Sequence, residues 1–403
     1  MLSTDLRIKF SLNESLRYLF YLIIFTFCIF PSSTLVFFKL ILILLNCILL
    51  SLLITYSKIR INFLLIIYTT FFILIILNYV FFTITFTSYN VYSVFFASFS
   101  YLTVFLLTII FIINLKVTNI DINQMTRFFV FSCFIYSLIK IFILCLPITL
   151  GFSFSMVKNL IANTFFMSAA SEDSLFIRIA TSNDYLVVFS FLFILLDKKF
   201  GFKVNAYTKV LMLFTMFIVL FLTFTRYIWV LTTIIIILKL LKTRSFLFYV
   251  SFTIMILSSF FIFPIYSEAI NKLLFRKLDT KFEQTVLLFD QFTEYPFWGS
   301  GIGAYLQNYT RNTSLFLYEN QFLSLFMQLG IIGGLFLFSF FIFPFCKIFL
   351  YPSKIFKFSS CNLLVIIYVL FLFSSLTNPN LFLLNMSLLY FILYFYTNNY
   401  VKN

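Results

Sequence analysis

From Thr208 to Leu238 the chain carries only two charged side chains, Lys209 and Arg226, in an otherwise overwhelmingly apolar run. A membrane-spanning helix needs about 20 apolar residues. The run is therefore longer than one span requires, and far too apolar for the surface of a soluble domain. Comparable runs recur along the whole chain. The composition is 63% hydrophobic and 10% charged, with a mean hydropathy of +1.09, which excludes an ordinary soluble fold. The expected class is an all-α polytopic membrane protein with about 12 transmembrane helices. Spans are expected near 16–31, 35–56, 61–82, 92–114, 128–149, 176–196, 208–225, 227–243, 246–265, 319–345, 359–377 and 382–398. Residues 1–403 then make a single integral membrane domain. The first run reads as a span rather than a cleaved signal peptide, because no small-residue cleavage site follows Pro31.

The charges give the orientation. Short segments between spans carry Lys and Arg, and cytoplasmic loops are enriched in them. Arg7, Lys9, Arg17, Lys58, Arg60, Lys116, Arg127, Lys198, Lys199, Lys203, Lys209, Lys239, Lys242, Arg244, Lys347, Lys354, Lys357 and Lys402 fall on one side. The other side, with Lys39, Lys158, Arg178, Arg226, Lys272, Arg276, Lys277, Lys281 and Arg311, has about half as many. The expected setting is the cytoplasmic (inner) membrane of a bacterium, with both termini in the cytoplasm. The net charge of +15 is then an orientation signal, and nucleic acid is not an expected partner.

Two outer loops are long, 150–175 and 266–318, and most acidic residues lie outside: Glu172, Asp173, Asp184, Glu268, Asp279, Glu283, Asp290, Glu294 and Glu319. Any chemistry should face outward. Within the larger loop, Ile270, Leu274, Leu278, Phe282, Val286 and Phe289 recur at helical spacing, with Lys272, Arg276, Asp279 and Glu283 on another face. This predicts an amphipathic helix over 268–292, lying on the membrane surface. It reads either as an anchor or as a helix whose basic start meets lipid phosphates.

The chain has no histidine. Histidine general bases, Ser-His-Asp triads and His metal sites are excluded together. The cysteines at 28, 47, 133, 145, 346 and 361 form no CxxC, and free thiols are expected. Most of the 65 Phe read as lipid-facing. No internal repeat is visible, and a flippase or transporter would need charges along a path through several spans. Lys140 alone sits in mid-span. It could pair with a carboxylate or shape a cavity.

Three of only eight glycines, Gly299, Gly301 and Gly303, fall in EYPFWGSGIGAY, residues 294–305. Glycine permits positive φ and close backbone approach, and successive N–H groups can form an anion cradle. Arg226, in TFTRYIW, is expected at the outer turn between two short spans. It reads equally as a snorkelling residue or as a cation waiting for an anion. Arg178 opens a span in FIRIATSND, followed by Asn183 and Asp184, and has the same two readings. Glu319 opens another span in YENQFLSLFMQLGIIGG, where an acid is favoured by the helix dipole alone. Gly330, Gly333 and Gly334 within that span read as packing positions.

Taken together, these motifs resemble the bacterial O-antigen polymerase and O-antigen ligase superfamily (Wzy-type polymerases and their relatives). Its pattern of Pro, an aromatic and spaced glycines resembles Glu294-Tyr-Pro-Phe-Trp-Gly-Ser-Gly-Ile-Gly-Ala-Tyr305. Its following (H/E)N-x-(y/f)-L…G-x-x-G resembles Glu319-Asn-Gln-Phe-Leu323 and Gly330-Ile-Ile-Gly333. The Arg226 turn, the Arg178–Asn183 entry and TNPNLF at 377–382 resemble weaker family features. The match covers the chain from about residue 176 on.

The resemblance implies a GT-C-like bundle with a large extracytoplasmic loop, and inverting, metal-independent glycosyl transfer on the outer membrane face. Undecaprenyl-diphosphate-linked glycan would supply donor and acceptor, membrane lipid would surround the site, and no cofactor is implied. A chain-length regulator would be a further partner. Arg178 and Arg226, with Arg276 and Arg311, would clamp the diphosphate, because a guanidinium binds phosphate oxygens in bidentate fashion. Glu319 would be the base. Asn320, Asn183 and the three glycines would contact diphosphate or glycan. Ligases of this superfamily place a His where Glu319 stands, so a chain without His resembles the polymerases more closely. The product would be O-antigen (lipopolysaccharide), capsule or exopolysaccharide.

Overall fold

The computed structural model describes residues 2–32, 34–57, 62–150, 169–173, 176–196, 204–223, 225–242, 279–307, 318–342, 360–376 and 381–402, with isolated positions between them. The described residues form twelve α-helices and one two-stranded hairpin. The helices are α1 (Leu2–Ile29), α2 (Val36–Ser57), α3 (Phe63–Phe86), α4 (Val91–Thr118), α5 (Ile122–Leu150), α6 (Asn183–Leu195), α7 (Ala206–Leu222), α8 (Arg226–Lys242), α9 (Asp279–Glu294), α10 (Gln321–Ile342), α11 (Ser360–Ser374) and α12 (Met386–Lys402). Stretches of α1, α2, α3, α4, α5 and α10 are long and apolar enough to cross a membrane, and α6, α7 and parts of α11 and α12 are shorter apolar helices. The chain is a helical membrane protein.

Twelve helices are not the twelve expected spans. Helix α9 is the amphipathic segment, and the span expected at 246–265 lies outside the described residues. The all-α fold holds, with one short local departure. Strands β1 (Ala169–Asp173) and β2 (Phe176–Ile179) pair antiparallel, with Ala170 opposite Arg178. The span expected from 176 is therefore a strand first, and its helix starts only at Asn183. The β-branched and aromatic residues of FIRI suit a strand, and the polar TSND that follows suits a helix start.

The chain divides into two compact units. The first comprises Met1–Ser51, Thr118–Arg276 and Asn362–Ile367; the second comprises Leu52–Val117, Lys277–Cys361 and Tyr368–Asn403.

The first unit is built around α6, which touches α1, α5, α7 and α8 and is buried along its whole length. At 13 residues it is about 20 Å long, shorter than a hydrocarbon core of about 30 Å. Its polar ends must be satisfied by neighbours, and they are. Asp184 Oδ1 meets Lys140 Nζ at 2.6 Å and accepts from the Tyr136 hydroxyl at 3.1 Å. Its Oδ2 accepts the Thr181 N–H at 2.8 Å. Lys239 Nζ donates to the Leu195 carbonyl at the other end. Lys140 is thus the partner of a buried carboxylate.

Breaking a buried pair leaves one charge uncompensated and costs about 3–5 kcal/mol. Lys140→Met is expected to lower the thermal midpoint in detergent markedly. The double variant Lys140→Met with Asp184→Asn should recover most of the loss, since the amide oxygen can still accept the Thr181 N–H while the amide nitrogen donates to the Tyr136 hydroxyl. A single variant as stable as the wild type would contradict this account.

The second unit holds α3, α4, α9, α10 and α12. Phe72 and Phe105 stack at 3.7 Å between ring centroids, and Phe336 and Phe340 close on them. Phe37, Phe63, Phe81 and Phe86 are exposed, as lipid-facing residues would be, whereas Phe20, Phe111, Phe129, Phe189 and Phe193 are core. Cys28, Cys47, Cys133 and Cys145 are free thiols, as expected.

Candidate functional site

The polar cluster containing Glu319 is in the second unit. Asn320 precedes α10, and its Oδ1 accepts the Leu323 N–H at 3.1 Å, a helix N-cap. Gln321 Oε1 accepts the Leu381 N–H at 2.8 Å, and the Gln321 N–H donates to the Ser375 carbonyl at 2.9 Å. These bonds fix the head of α10. Glu319 is one residue before the cap. Its N–H donates to Gln284 Oε1 at 3.0 Å, and its Oε2 lies 2.8 Å from Lys281 Nζ. Both partners come from α9, which packs on α10. The α9 stripe of Phe282, Val286 and Phe289 is exposed, whereas Gln284 and Leu288 are buried. The Glu319 side chain is 20% exposed and that of Lys281 40%, while Glu319 Oε2 itself is buried.

Tyr318, next to Glu319 in the chain, is buried in a hydrophobic cluster with Leu288, Leu306 and Met327, against which Phe292, Tyr305 and Tyr309 pack. The Tyr318 hydroxyl accepts the Leu306 N–H at 2.6 Å, and burial pushes its phenol up to about 12. The phenol therefore stays neutral. Burial also raises Tyr89, whose hydroxyl accepts from Gln291 Nε2 at 2.7 Å. The arrangement offers one carboxylate paired with a partly exposed cation beside a mostly neutral, buried cluster.

The glycine segment is not an anion cradle, which corrects the expected role of Gly299, Gly301 and Gly303. Their N–H groups already have partners inside the fold: the Tyr295 carbonyl at 2.8 Å, the Gln328 carbonyl at 2.9 Å and Gln328 Oε1 at 3.1 Å. The Ser300 N–H reaches the Met327 carbonyl at 2.9 Å, and the Ile302 N–H reaches Thr83 Oγ1 at 2.9 Å. All residues from Gly299 to Ala304 are buried, so the segment is no surface loop.

Its purpose is to repair a helix. Gly330 adopts φ +63°, ψ −171° inside α10 and interrupts the hydrogen-bond ladder. That break is about 14 Å from the head of the helix, where unpaired backbone groups would be costly. The segment supplies their partners. Pro296 and Phe297 carbonyls accept from Ile331 and Ile332 at 2.8 and 3.3 Å, while Tyr79 donates to the Leu329 carbonyl at 2.7 Å. Gly330 is therefore a break and not simple packing, whereas Gly333 is packing, with room for no Cβ against Tyr79.

Gln328 escaped the sequence reading. It is fully buried, accepts from Gly303 and Tyr101, and donates to Ser324 Oγ at 3.3 Å. Its signal was a glutamine in mid-span two residues before a glycine.

The expected arginines have different standings. Arg226 is exposed and is the first residue of α8, directly after the turn that joins α7 to α8. Trp229 stacks on Phe221 and donates to its carbonyl at 2.9 Å, which pins that turn. A cation at the positive end of a helix is disfavoured by the dipole. Arg178 lies on β2. Both belong to the first unit. Arg276 and Arg311 lie outside the described residues, as do residues 377–380 of TNPNLF. Asn183 is corrected from a substrate contact to a structural one. It is fully buried, and its Nδ2 donates to the Phe27 and Cys28 carbonyls at 3.3 and 2.8 Å, closing the end of α1 beside Lys39. Among the described residues of the second unit, Lys281 is the cation paired with Glu319.

No family model matches the chain, and no curated protein matches it significantly.

Proposed function

We propose that this chain polymerises undecaprenyl-diphosphate-linked oligosaccharide repeat units on the outer face of a bacterial cytoplasmic membrane. In this reading it is a GT-C-like membrane glycosyltransferase. The observation that carries the proposal is Glu319: a partly exposed carboxylate at the head of a membrane helix, later in the chain than a glycine segment of the polymerase pattern. Its carboxylate takes the proton of an acceptor sugar hydroxyl. The hydroxyl oxygen forms a bond to the donor's anomeric carbon from the face opposite the leaving group. The anomeric C–O bond breaks, and its electron pair leaves with the lipid diphosphate. Cations near that diphosphate lower the barrier by meeting charge as it develops.

Arg226 is assigned as a diphosphate clamp, because it is an exposed cation at a helix N-terminus, where the dipole favours a bound anion. Arg226→Lys is expected to slow transfer by about tenfold to a hundredfold, since a point charge replaces a planar fork. Initial rates on lipid-linked repeat units check this, and a wild-type rate would make Arg226 a snorkelling residue.

A broken membrane helix also occurs in transporters, where free backbone groups hold the substrate. Here the groups freed at Gly330 are paired with residues 296–301, and the in-span Lys140 is paired with Asp184. Both features weigh for surface chemistry. The direct test is purified protein in lipid vesicles with lipid-linked repeat units. The expected product is a series of longer glycans on lipid, with one undecaprenyl diphosphate released per bond. Transfer of intact units across the bilayer with no growth would point to a flippase instead.

A further inference from the structure

Helices α3, α4 and α10 are long and apolar enough to cross a membrane, and residues 295–303 are wedged among all three. The Pro296 and Phe297 carbonyls accept from Ile331 and Ile332 of α10. The Ile302 N–H is bonded to Thr83, one turn inside the end of α3. A Cβ on Gly303 would stand 2.7 Å from the backbone of Ser93, near the start of α4. The segment therefore lies beside these helices, just within their ends at the α3–α4 turn, and not above them.

The neighbouring side chains show what surrounds it. Phe81, Phe82 and Phe86 are exposed on α3, and Ile331, Ile332 and Leu335 on α10. Exposed apolar side chains on a membrane-crossing helix meet lipid. Tyr295, Phe297 and Trp298 are 58%, 63% and 64% exposed. They continue the surface of Ile331 and Ile332, because their stretch of backbone is bonded to those two residues. Trp and Tyr are also the residue types that gather at a bilayer surface.

The backbone here suits lipid as well. Pro296 has no N–H to pair, and the N–H groups from Gly299 to Gly303 all have partners within the protein, as a membrane demands. Glu294 limits the depth. It is exposed, and a carboxylate is costly inside hydrocarbon. At no more than about 3.5 Å per residue, Trp298 stays within about 14 Å of it, so the dip is shallow.

We infer that Tyr295, Phe297 and Trp298 form an aromatic foot in the membrane leaflet at the α3–α4 end, with Glu294 among the headgroups and the Phe297 and Trp298 rings among the upper acyl chains. The occupant of this exposed face is the bilayer itself. The clasp on α10 then has a second use, because it ties the end of α9 to the membrane as well as to the helix. The inference does not depend on the polymerase reading.

The test places the full-length protein in nanodiscs of phosphatidylcholine brominated either high on the acyl chain or at its end. The chain has two tryptophans. The fluorescence of Trp298 is read as the difference between the wild type and Trp298→Phe. Trp229→Phe, which leaves Trp298 as the remaining tryptophan, reads the same signal by a second route. The Trp298 signal is expected to be quenched at least about twofold more by bromine high on the chain than by bromine at its end, and to resist iodide in the water. Quenching by iodide with none by brominated lipid would put the rings in water and overturn the foot. Quenching by neither would mean that protein covers them, a second copy included, and would overturn it too. Strongest quenching by bromine at the chain end would put Trp298 at the bilayer centre and overturn the shallow placement.

Discussion

Glu319→Gln is expected to abolish polymer formation, with transfer reduced by at least about a hundredfold, while the protein reaches the membrane at its normal level. The side chain keeps its size and loses only its basicity. What fixes Glu319 is its backbone N–H on Gln284, and that bond survives the change. The exposed contact with Lys281 contributes at most about 1 kcal/mol, so stability should hardly move. Gels of the surface glycan, read beside an immunoblot of membrane fractions, separate activity from insertion. Wild-type polymer from this variant would remove Glu319 from the chemistry.

The second large effect is expected at Gly330. Gly330→Ala should leave little folded protein. At φ +63° a Cβ is disfavoured by about 1–2 kcal/mol. It would also stand 2.3 Å from the Phe297 carbonyl oxygen and 2.6 Å from the Gly299 nitrogen, both backbone atoms that cannot step aside. The whole clasp of residues 296–301 on α10 would have to open, for a total above about 3 kcal/mol. Gly334→Ala is the control. Its Cβ would meet the Phe326 ring, a side chain that can turn away. Thermal unfolding in detergent should show Gly334→Ala close to wild type and Gly330→Ala lost. Equal stability of the two would contradict the clasp.

The long apolar helices were legible because such a helix is written in consecutive residues. The α7–α8 turn at Arg226 was readable for the same reason, since an apolar run that long must turn back. What stayed hidden were partners distant in the chain. The three glycines stood out by clustering, but the carbonyl and side-chain amide that Gly301 and Gly303 meet belong to Gln328 on α10, and the Ser300 N–H between them meets the Met327 carbonyl. Without those partners the N–H groups looked available to an anion. Asn183 was expected to contact substrate and Lys39 to lie on the outer side, yet both satisfy carbonyls at the end of α1. Lys140 could be expected to need a carboxylate, but nothing local named Asp184. The hairpin at 169–179 was concealed by apolar residues that suit a strand and a span alike. At the candidate site Glu319 was found by its motif, whereas Lys281 and Gln284 emerged only from the packing of α9 on α10.

The central claim is that this chain joins repeat units together. Deleting its gene and separating the surface glycans on a gel tests that claim most directly. The account predicts that the ladder collapses to a single repeat unit still attached to its usual acceptor. Full-length polymer still made but left on undecaprenyl diphosphate would contradict it and identify a ligase. Single units trapped on the cytoplasmic face would contradict it and identify a flippase.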